Sequence, residues 1–226
     1  MTVVAVDGSA GSGKSSVSRG VADRLQMQYL DTGAMYRAAT LWLLDHGVDV
    51  ADATAVAAQA GAIVIESGTD PLSPTIALAG RDVAAEIRSP RVTAAVSSVS
   101  AVPQLRERMV VLQRRAVDAA RTAGSGIIVE GRDIGTVVLP DADLKVFLVA
   151  DPQVRAQRRA AEDAERGHGG DVADTAAALA RRDSADASRT ASPLAKADDA
   201  VVVDGTHDDL PAVIDKVAAL VAAAGG

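Results

Sequence analysis

The stretch "VVAVDGSAGSGKSS", Val3 to Ser16, opens on apolar residues, turns through three glycines and leads into a helical pattern. Within it "GSAGSGKS", Gly8 to Ser15, matches the phosphate-binding loop G-x-x-x-x-G-K-[ST] at every fixed position. Gly8, Gly11 and Gly13 let the backbone curl so that its N–H groups point inward, and the positive end of the helix that starts near Gly13 adds to the attraction for phosphate. Lys14 is suited to the β- and γ-phosphates of a nucleotide, and the Ser15 hydroxyl to a magnesium ion between them. The motif follows an apolar strand, expected over Thr2–Val6, and opens a helix with Val17, Val21, Ala22 and Leu25 on one face.

Outward from this loop the chain alternates strand and helix. "MQYLD" reads as a second strand ending at Asp31, and a helix is expected from Ala34 to Asp45. "GAIVIES", "PTIALAG" and "RDVAAEI" are short strand-like pieces between Gly, Pro, Asp and Ser, and they predict a small antiparallel insert over Gly61–Ile87. "PRVTAAVSSVSAVP" reads as a helix closed by Pro103. The next segment, with Leu105, Met109, Leu112, Ala116 and Ala120 on one side, is a strongly amphipathic helix. "GIIVEGRD" and "DLKVFLVA" are near-continuous apolar runs, as in strands covered on both faces. A basic helix then runs into a glycine-rich loop, another helix ends before Pro193, and "DAVVVDG" and "LPAVIDKVAALVAAA" supply the last strand and helix. The pattern predicts an α/β fold, an open parallel sheet flanked by helices.

Composition excludes several classes. The 226 residues contain no cysteine, so disulfides, thiolate metal sites and cysteine nucleophiles are ruled out. No secretory signal and no transmembrane run is visible, which predicts a cytoplasmic protein without a membrane partner. A formal net charge of −7 argues against binding nucleic acid through bulk charge. Lysine is rare: Lys14 is the only one before Lys145. The chain has no asparagine, so the N-K-x-D stretch by which GTPases read guanine is absent. A motor or transport ATPase needs an acid at the end of an apolar strand, and Glu130 could serve that reading.

"DTGAMYR", Asp31–Arg37, and "EGRDIGT", Glu130–Thr136, both begin where an apolar strand runs out. In open parallel sheets that edge is where ligands bind. Arg37 and Arg132 can therefore converge beside the phosphate-binding loop, in a second site for a phosphate-bearing molecule. Asp31 reads as a helix cap or an arginine's partner.

The blocks "DGSAGSGKSS", "LDTGAMYRA", "EIRSPRVTAAVSSVSAVPQLRE", "EGRDIGTVVLPDADLKVFL" and "ARRDSADASR", in this order and spacing, closely resemble the bacterial cytidylate kinases of the nucleoside monophosphate kinase group over essentially the whole chain. The resemblance implies transfer of the γ-phosphoryl group of ATP to CMP or dCMP, giving ADP and CDP or dCDP, with magnesium. It implies a single domain with a core of residues 1–33, 104–154 and 171–226, a monophosphate-binding insert of about 34–103 and a mobile lid of about 155–170, acting as a monomer. Gly8, Ser9, Ala10, Gly11, Ser12, Gly13, Lys14, Ser15 and Ser16 would hold ATP, with Ser15 on the metal. Thr32, Arg37 and Arg132 would hold the CMP phosphate, with Tyr36 packed beside it. Arg106, Ser97, Asp133 and Arg189 would surround the cytosine, and Asp186, steadied by Arg182, would take the ribose. Lys14, Arg132 and the lid residues Arg158 and Arg159 would act on the transferring group; Arg155 and Arg166 receive no role. Two positions depart from the pattern of relatives: Glu130 stands where Asp is frequent and Thr32 where Ser is. The alternatives are a kinase preferring UMP or AMP, against which the base-reading set counts, and a P-loop ATPase that is not a kinase.

Overall fold

Alternation along Val3–Val6 shows how the core is built. Val3 and Ala5 join one apolar cluster and Val4 and Val6 another, on opposite faces of the same strand. That strand, β1 (Val3–Gly8), lies at the centre of a five-stranded parallel sheet in a computed structural model that describes residues 1–165, 167 and 171–225. It runs two residues beyond the expected end, because Asp7 and Gly8 still pair in register with Phe147 and Leu148. The loop follows, then α1 (Lys14–Arg24), whose Val17 and Val21 lie on the Val4 face.

The next strand, β2 (Gln28–Asp31), ends as expected. The helix after it, α2 (Thr32–Asp45), starts two residues early because Asp31 caps it, its Oδ1 accepting from the Ala34 N–H at 2.9 Å. A short helix that the alanine-rich sequence does not signal, α3 (Ala53–Gln59), is capped by Asp52. The small antiparallel sheet is β3 (Ile65–Ser67), β4 (Ile76–Leu78) and β5 (Arg81–Asp82); its pieces are shorter than the sequence suggests, and "AEIR" closes into a 3₁₀ turn, Glu86–Arg88. Its β3–β4 loop covers the free edge of β2, where the Tyr29 N–H donates to the Thr69 carbonyl at 2.9 Å.

Two helices follow, α4 (Pro90–Ser100) and α5 (Pro103–Thr122). Pro103 starts the second helix rather than closing the first, as suits a residue with no N–H to donate. Leu105, Met109 and Ala120 of α5 are buried as expected, but Val117 and Gln113 complete the buried face while Leu112 and Ala116 are only half-buried. Beyond α5 come β6 (Ile127–Glu130), an unforeseen π-helical turn (Ile134–Val138) and β7 (Leu144–Val149). Then α6 (Pro152–Glu165) and α7 (Val172–Ser188) pack together, and β8 (Val201–Asp204) and α8 (Leu210–Ala224) finish the chain. Sheet order is β2-β6-β1-β7-β8, so β6 and β7 flank the loop-bearing strand. Among the described residues no helix is long and apolar enough to cross a membrane. Arg166, His168, Gly169 and Gly170 of the expected lid lie outside the described residues.

Candidate active site

The phosphate-binding loop leaves β1 at Gly8, where a Cβ would stand 2.2 Å from the Leu148 carbonyl oxygen, so β7 approaches closely enough that only glycine fits. Gly13, with φ of 90°, turns the chain into α1 and is its cap. Lys14 is buried, and its ammonium donates to the carbonyls of Gly8 at 2.7 Å and Ser9 at 2.6 Å. Burial, then the charge of Arg132, holds its basicity below that of an ordinary lysine, while Glu130 and Asp7 oppose that shift.

Glu130 ends β6 beside the loop and is buried. Its Oε1 accepts from the Ser15 hydroxyl and from the Tyr29 hydroxyl, each at 2.7 Å, and its Oε2 has no hydrogen-bond partner among the described residues. Burial first, then the charge of Asp31, raises the carboxyl above its usual range. A bare carboxylate oxygen beside a serine hydroxyl is an all-oxygen donor set that fits magnesium, which is held through one or two protein oxygens together with phosphates. Among the described residues no cluster of three or more His, Cys, Asp or Glu could hold a metal without such help.

On the other side, Arg37 is buried on α2 and donates through Nη1 to the Ile87 carbonyl (3.0 Å) and the Thr93 hydroxyl (2.9 Å). Burial pushes its guanidinium down to about 9, and Arg182, Arg88 and Arg159 add repulsion. Arg182 is in turn lowered to about 10, by burial and then by Arg132 and Arg159. Cations from the β6–β7 connection, α6 and α7 are thus near enough to Arg37 or Arg182 to disfavour the charge there, and Arg132 and Arg182 act in the same way on Lys14. A polyanion would relieve that repulsion.

Arg132 is the hinge of the arrangement. Its Nη1 donates to the Gly8 carbonyl at 2.9 Å and its Nε pairs with Asp186 at 3.0 Å. Asp186 pairs directly with Arg132, with Arg189 at 3.5 Å, while the expected Arg182 forms no direct ion pair among the described residues and feels Asp186 through charge alone, which supports its basicity. On a helix, Arg four residues before Asp is the weaker order, and the direct contact to Asp186 comes instead from Arg132, whose side chain is 18% exposed.

Arg106 and Asp133 are both buried and form an ion pair. Arg106 also donates to the Ser100 carbonyl at 3.0 Å and lies over the Tyr36 ring, 5.3 Å from its centroid, while Arg189 reaches the Ser100 hydroxyl at 3.4 Å. Tyr36 is buried, which pushes its hydroxyl up to about 12. Ser100, one helical turn after Ser97, is the serine against the two arginines; Ser97 is half-exposed, and its carbonyl accepts from the Ser100 hydroxyl. The Thr32 hydroxyl donates to the Glu130 carbonyl at 2.7 Å. Asp31 carries both expected duties, capping α2 and pairing with Arg88 at 3.0 Å. Ser9 and Ser12 brace the loop itself, the Ser12 hydroxyl donating to the Ser9 carbonyl at 3.0 Å, and Ser16 is exposed at the start of α1. Arg158 donates to the Gly205 carbonyl (2.7 Å) and Arg159 pairs with Asp163 (2.9 Å).

Sequence reading passed over Asp7, which anchors the π-helical turn. Its two carboxylate oxygens accept from the Ile134 and Gly135 N–H groups at 2.8 and 2.7 Å. An acid next to the first glycine of the loop was the available signal. Burial raises this carboxyl to about 6 against those two hydrogen bonds.

A family model described as cytidylate kinase matches residues 4–223. A cytidylate kinase of Streptomyces avermitilis is 56% identical over 219 residues, covering 97% of this chain and 92% of that protein. One from Rhodococcus opacus is 50% identical over 225 residues, covering 99% and 96%. Among solved structures, that of an uncharacterized protein from Eubacterium ventriosum superposes with a TM-score of 0.51 at 10% identity, covering 98% of this chain and 99% of that one, and bears on the fold alone. With a family match over nearly its full length and relatives at half identity or better, the chain belongs to the cytidylate kinase family.

Proposed function

We propose that this kinase transfers the γ-phosphoryl group of ATP to CMP or dCMP, releasing ADP and CDP or dCDP. One observation carries the reading at the level of residues: a complete phosphate-binding loop, whose Gly8 carbonyl accepts from Arg132, stands beside further arginines, of which Arg37 and Arg182 are lowered in basicity by burial and by neighbouring cations. A hydrolytic ATPase has no use for that second cationic cluster.

In this reading the backbone from Gly8 to Ser16 cradles the phosphates of ATP, with Lys14 as a point charge among them. Ser15 and Glu130 would hold magnesium, which would supply positive charge to offset that of the phosphates. Arg37, Arg132 and Thr32 take the CMP phosphate. The nucleophile is an oxygen of that phosphate, whose second pKa of about 6 leaves it largely ionised at neutral pH, so no side chain need remove a proton. The remaining difficulty is the approach of two polyanions, which Lys14, Arg132, Arg158, Arg159 and Arg182 offset by electrostatic stabilisation already organised in the fold. Fixing both substrates in line removes much of the entropic barrier.

Cytosine offers an amine donor and the acceptors N3 and O2. The Arg106–Asp133 pair with Arg189 and Ser97 presents both donors and acceptors to it, and a wrong base leaves some of these unpaired. Asp186 takes the ribose. The segment of about 155–170 acts as a lid and residues 34–103 as the monophosphate-binding part, in a cytoplasmic monomer. An ADP-release assay with magnesium and ATP, adding CMP, dCMP, UMP or AMP in turn, tests the reading: ADP release should require CMP or dCMP. Arg37→Ala should cut CMP turnover about 100-fold while ATP binding stays normal, in line with loss of a charge-assisted contact to the reacting group. Equal ADP release with no monophosphate would refute the proposal.

A further inference from the structure

Ala10, in the middle of the phosphate-binding loop, has both backbone polar groups taken by side chains from outside it. Its N–H donates to Asp183 Oδ1 at 3.0 Å, and its carbonyl accepts from Arg155 Nη1 at 2.9 Å. The same Nη1 pairs with Asp183 Oδ2 at 2.5 Å, so Ala10, Asp183 and Arg155 form a closed ring. Arg155 comes from α6 and Asp183 from α7. Their side chains are 11% and 18% exposed, which leaves the pair only weakly screened by solvent.

Apolar contact supports the ring. Ala10 packs with Ala156 of α6 and Leu179 of α7 in a small cluster separate from the two main cores. A Cβ on Gly11 would stand 3.0 Å from the Arg155 carbonyl oxygen and 3.4 Å from Leu179 Cδ1, so the two helices press directly on the loop backbone. One turn along α7, Asp186 grips the loop a second time through Arg132, which donates to the Gly8 carbonyl. The two acids are three residues apart and so share a helix face. Arg158 and Arg159 follow Arg155 on α6, and Arg182 precedes Asp183 on α7.

We propose that Asp183 and Arg155 are positioning residues that clamp the phosphate-binding loop to α6 and α7, so that the ATP site and the arginines on those helices are set as one unit. The inference rests on the phosphoryl-transfer reading for its purpose, but the clamp is testable through ATP binding alone. Arg155 has a second duty in it. Asp183 places a carboxylate beside a loop built for phosphate, and Arg155 is the charge that neutralises it. Removing Arg155 alone exposes ATP to that carboxylate; removing the negative charge as well restores part of the loss.

The test is calorimetric titration of ATP, and separately of CMP, into Arg155→Ala, Asp183→Asn and the double variant, with melting temperatures recorded alongside. Arg155→Ala should weaken ATP binding about tenfold, the scale of one lost charge-assisted hydrogen bond. The CMP Kd should hold within about twofold, because neither residue touches Arg37, Arg106 or Asp133. The double variant should bind ATP more tightly than Arg155→Ala, and Arg155→Lys, which keeps the charge, should bind close to wild type. If Arg155→Ala does not fold, Asp183→Asn against Arg155→Lys still separates the charge from the packing. Losses that multiply in the double variant would overturn the proposal. So would a lowered melting temperature with both Kd values unchanged. If ADP release proves independent of CMP while the ATP results hold, the proposed function fails and the clamp stands.

Discussion

Asp7→Asn should make the protein relatively more stable at neutral pH while slowing it. The carboxylate is 5% exposed and accepts two backbone N–H groups, yet burial outweighs them and raises its pKa from 3.8 to about 6. A raised acid binds its proton more tightly in the folded chain than in the unfolded one. Its contribution therefore favours folding below about pH 4 and is lost as pH rises through 6. A shift of roughly two units corresponds to about 3 kcal/mol of folding free energy given up across that window. Asparagine does not titrate, so the variant escapes this loss. It offers only one acceptor oxygen for two N–H groups, however, and its amide donor faces the second. That mismatch is independent of pH and loosens the turn that carries Asp133. Urea unfolding followed by circular dichroism from pH 4 to 7.5 should show the stability difference moving toward the variant by about 3 kcal/mol. Its kcat at pH 7.5 should fall about tenfold, equivalent to about 1.4 kcal/mol of lost positioning. Stability curves that run parallel over the whole range would refute the argument, because other titrating groups are common to both proteins.

Gly8→Ala drives a Cβ to 2.2 Å from the Leu148 carbonyl, between two paired strands, at a φ of 150°. It should cost about 3 kcal/mol in urea unfolding, at the upper end of overpacking effects. Because the Gly8 carbonyl also serves Lys14 and Arg132, ATP binding should weaken in the same variant. Asp133→Ala leaves Arg106 buried without its partner and should lower stability by about 3 kcal/mol; the KM for CMP should rise in steady-state assays while the ATP Kd, measured by titration, stays unchanged.

The parallel sheet was legible because its inner strands β1 and β6 are buried on both faces and read as unbroken apolar runs, and the loop motif names its own neighbours. The small antiparallel sheet was legible in place but not in extent, since pieces of two or three residues leave little periodic signal. The helix Ala53–Gln59 escaped because an alanine-rich segment has no apolar stripe. The π-helical turn escaped because what holds it, Asp7, is 127 residues away in sequence. In the site the pattern is similar. Lys14, Arg37 and Arg132 could be picked out from motifs, and Arg106 and Asp133 from the family resemblance, whereas their pairings could not. Arg132 reaches Asp186 across 54 residues, and Ala10 meets Asp183 across 173. Ser97 and Ser100 differ by a single helical turn, which sequence spacing alone cannot resolve against the arginines of other elements.

The central place of Val3–Gly8 in the sheet also bears on how the chain is made. This strand leaves the ribosome well before its two neighbours, which begin only at Ile127 and Leu144. Until they emerge, six residues destined for full burial have no partner, and the nucleotide loop attached to them has no shape. Parallel pairing of this kind is slow to form and prone to aggregation while incomplete. A truncated product ending before Ile127 should therefore be cleared or precipitate rather than persist as a half-active fragment, so that nucleotide binding arrives only with the second half of the chain.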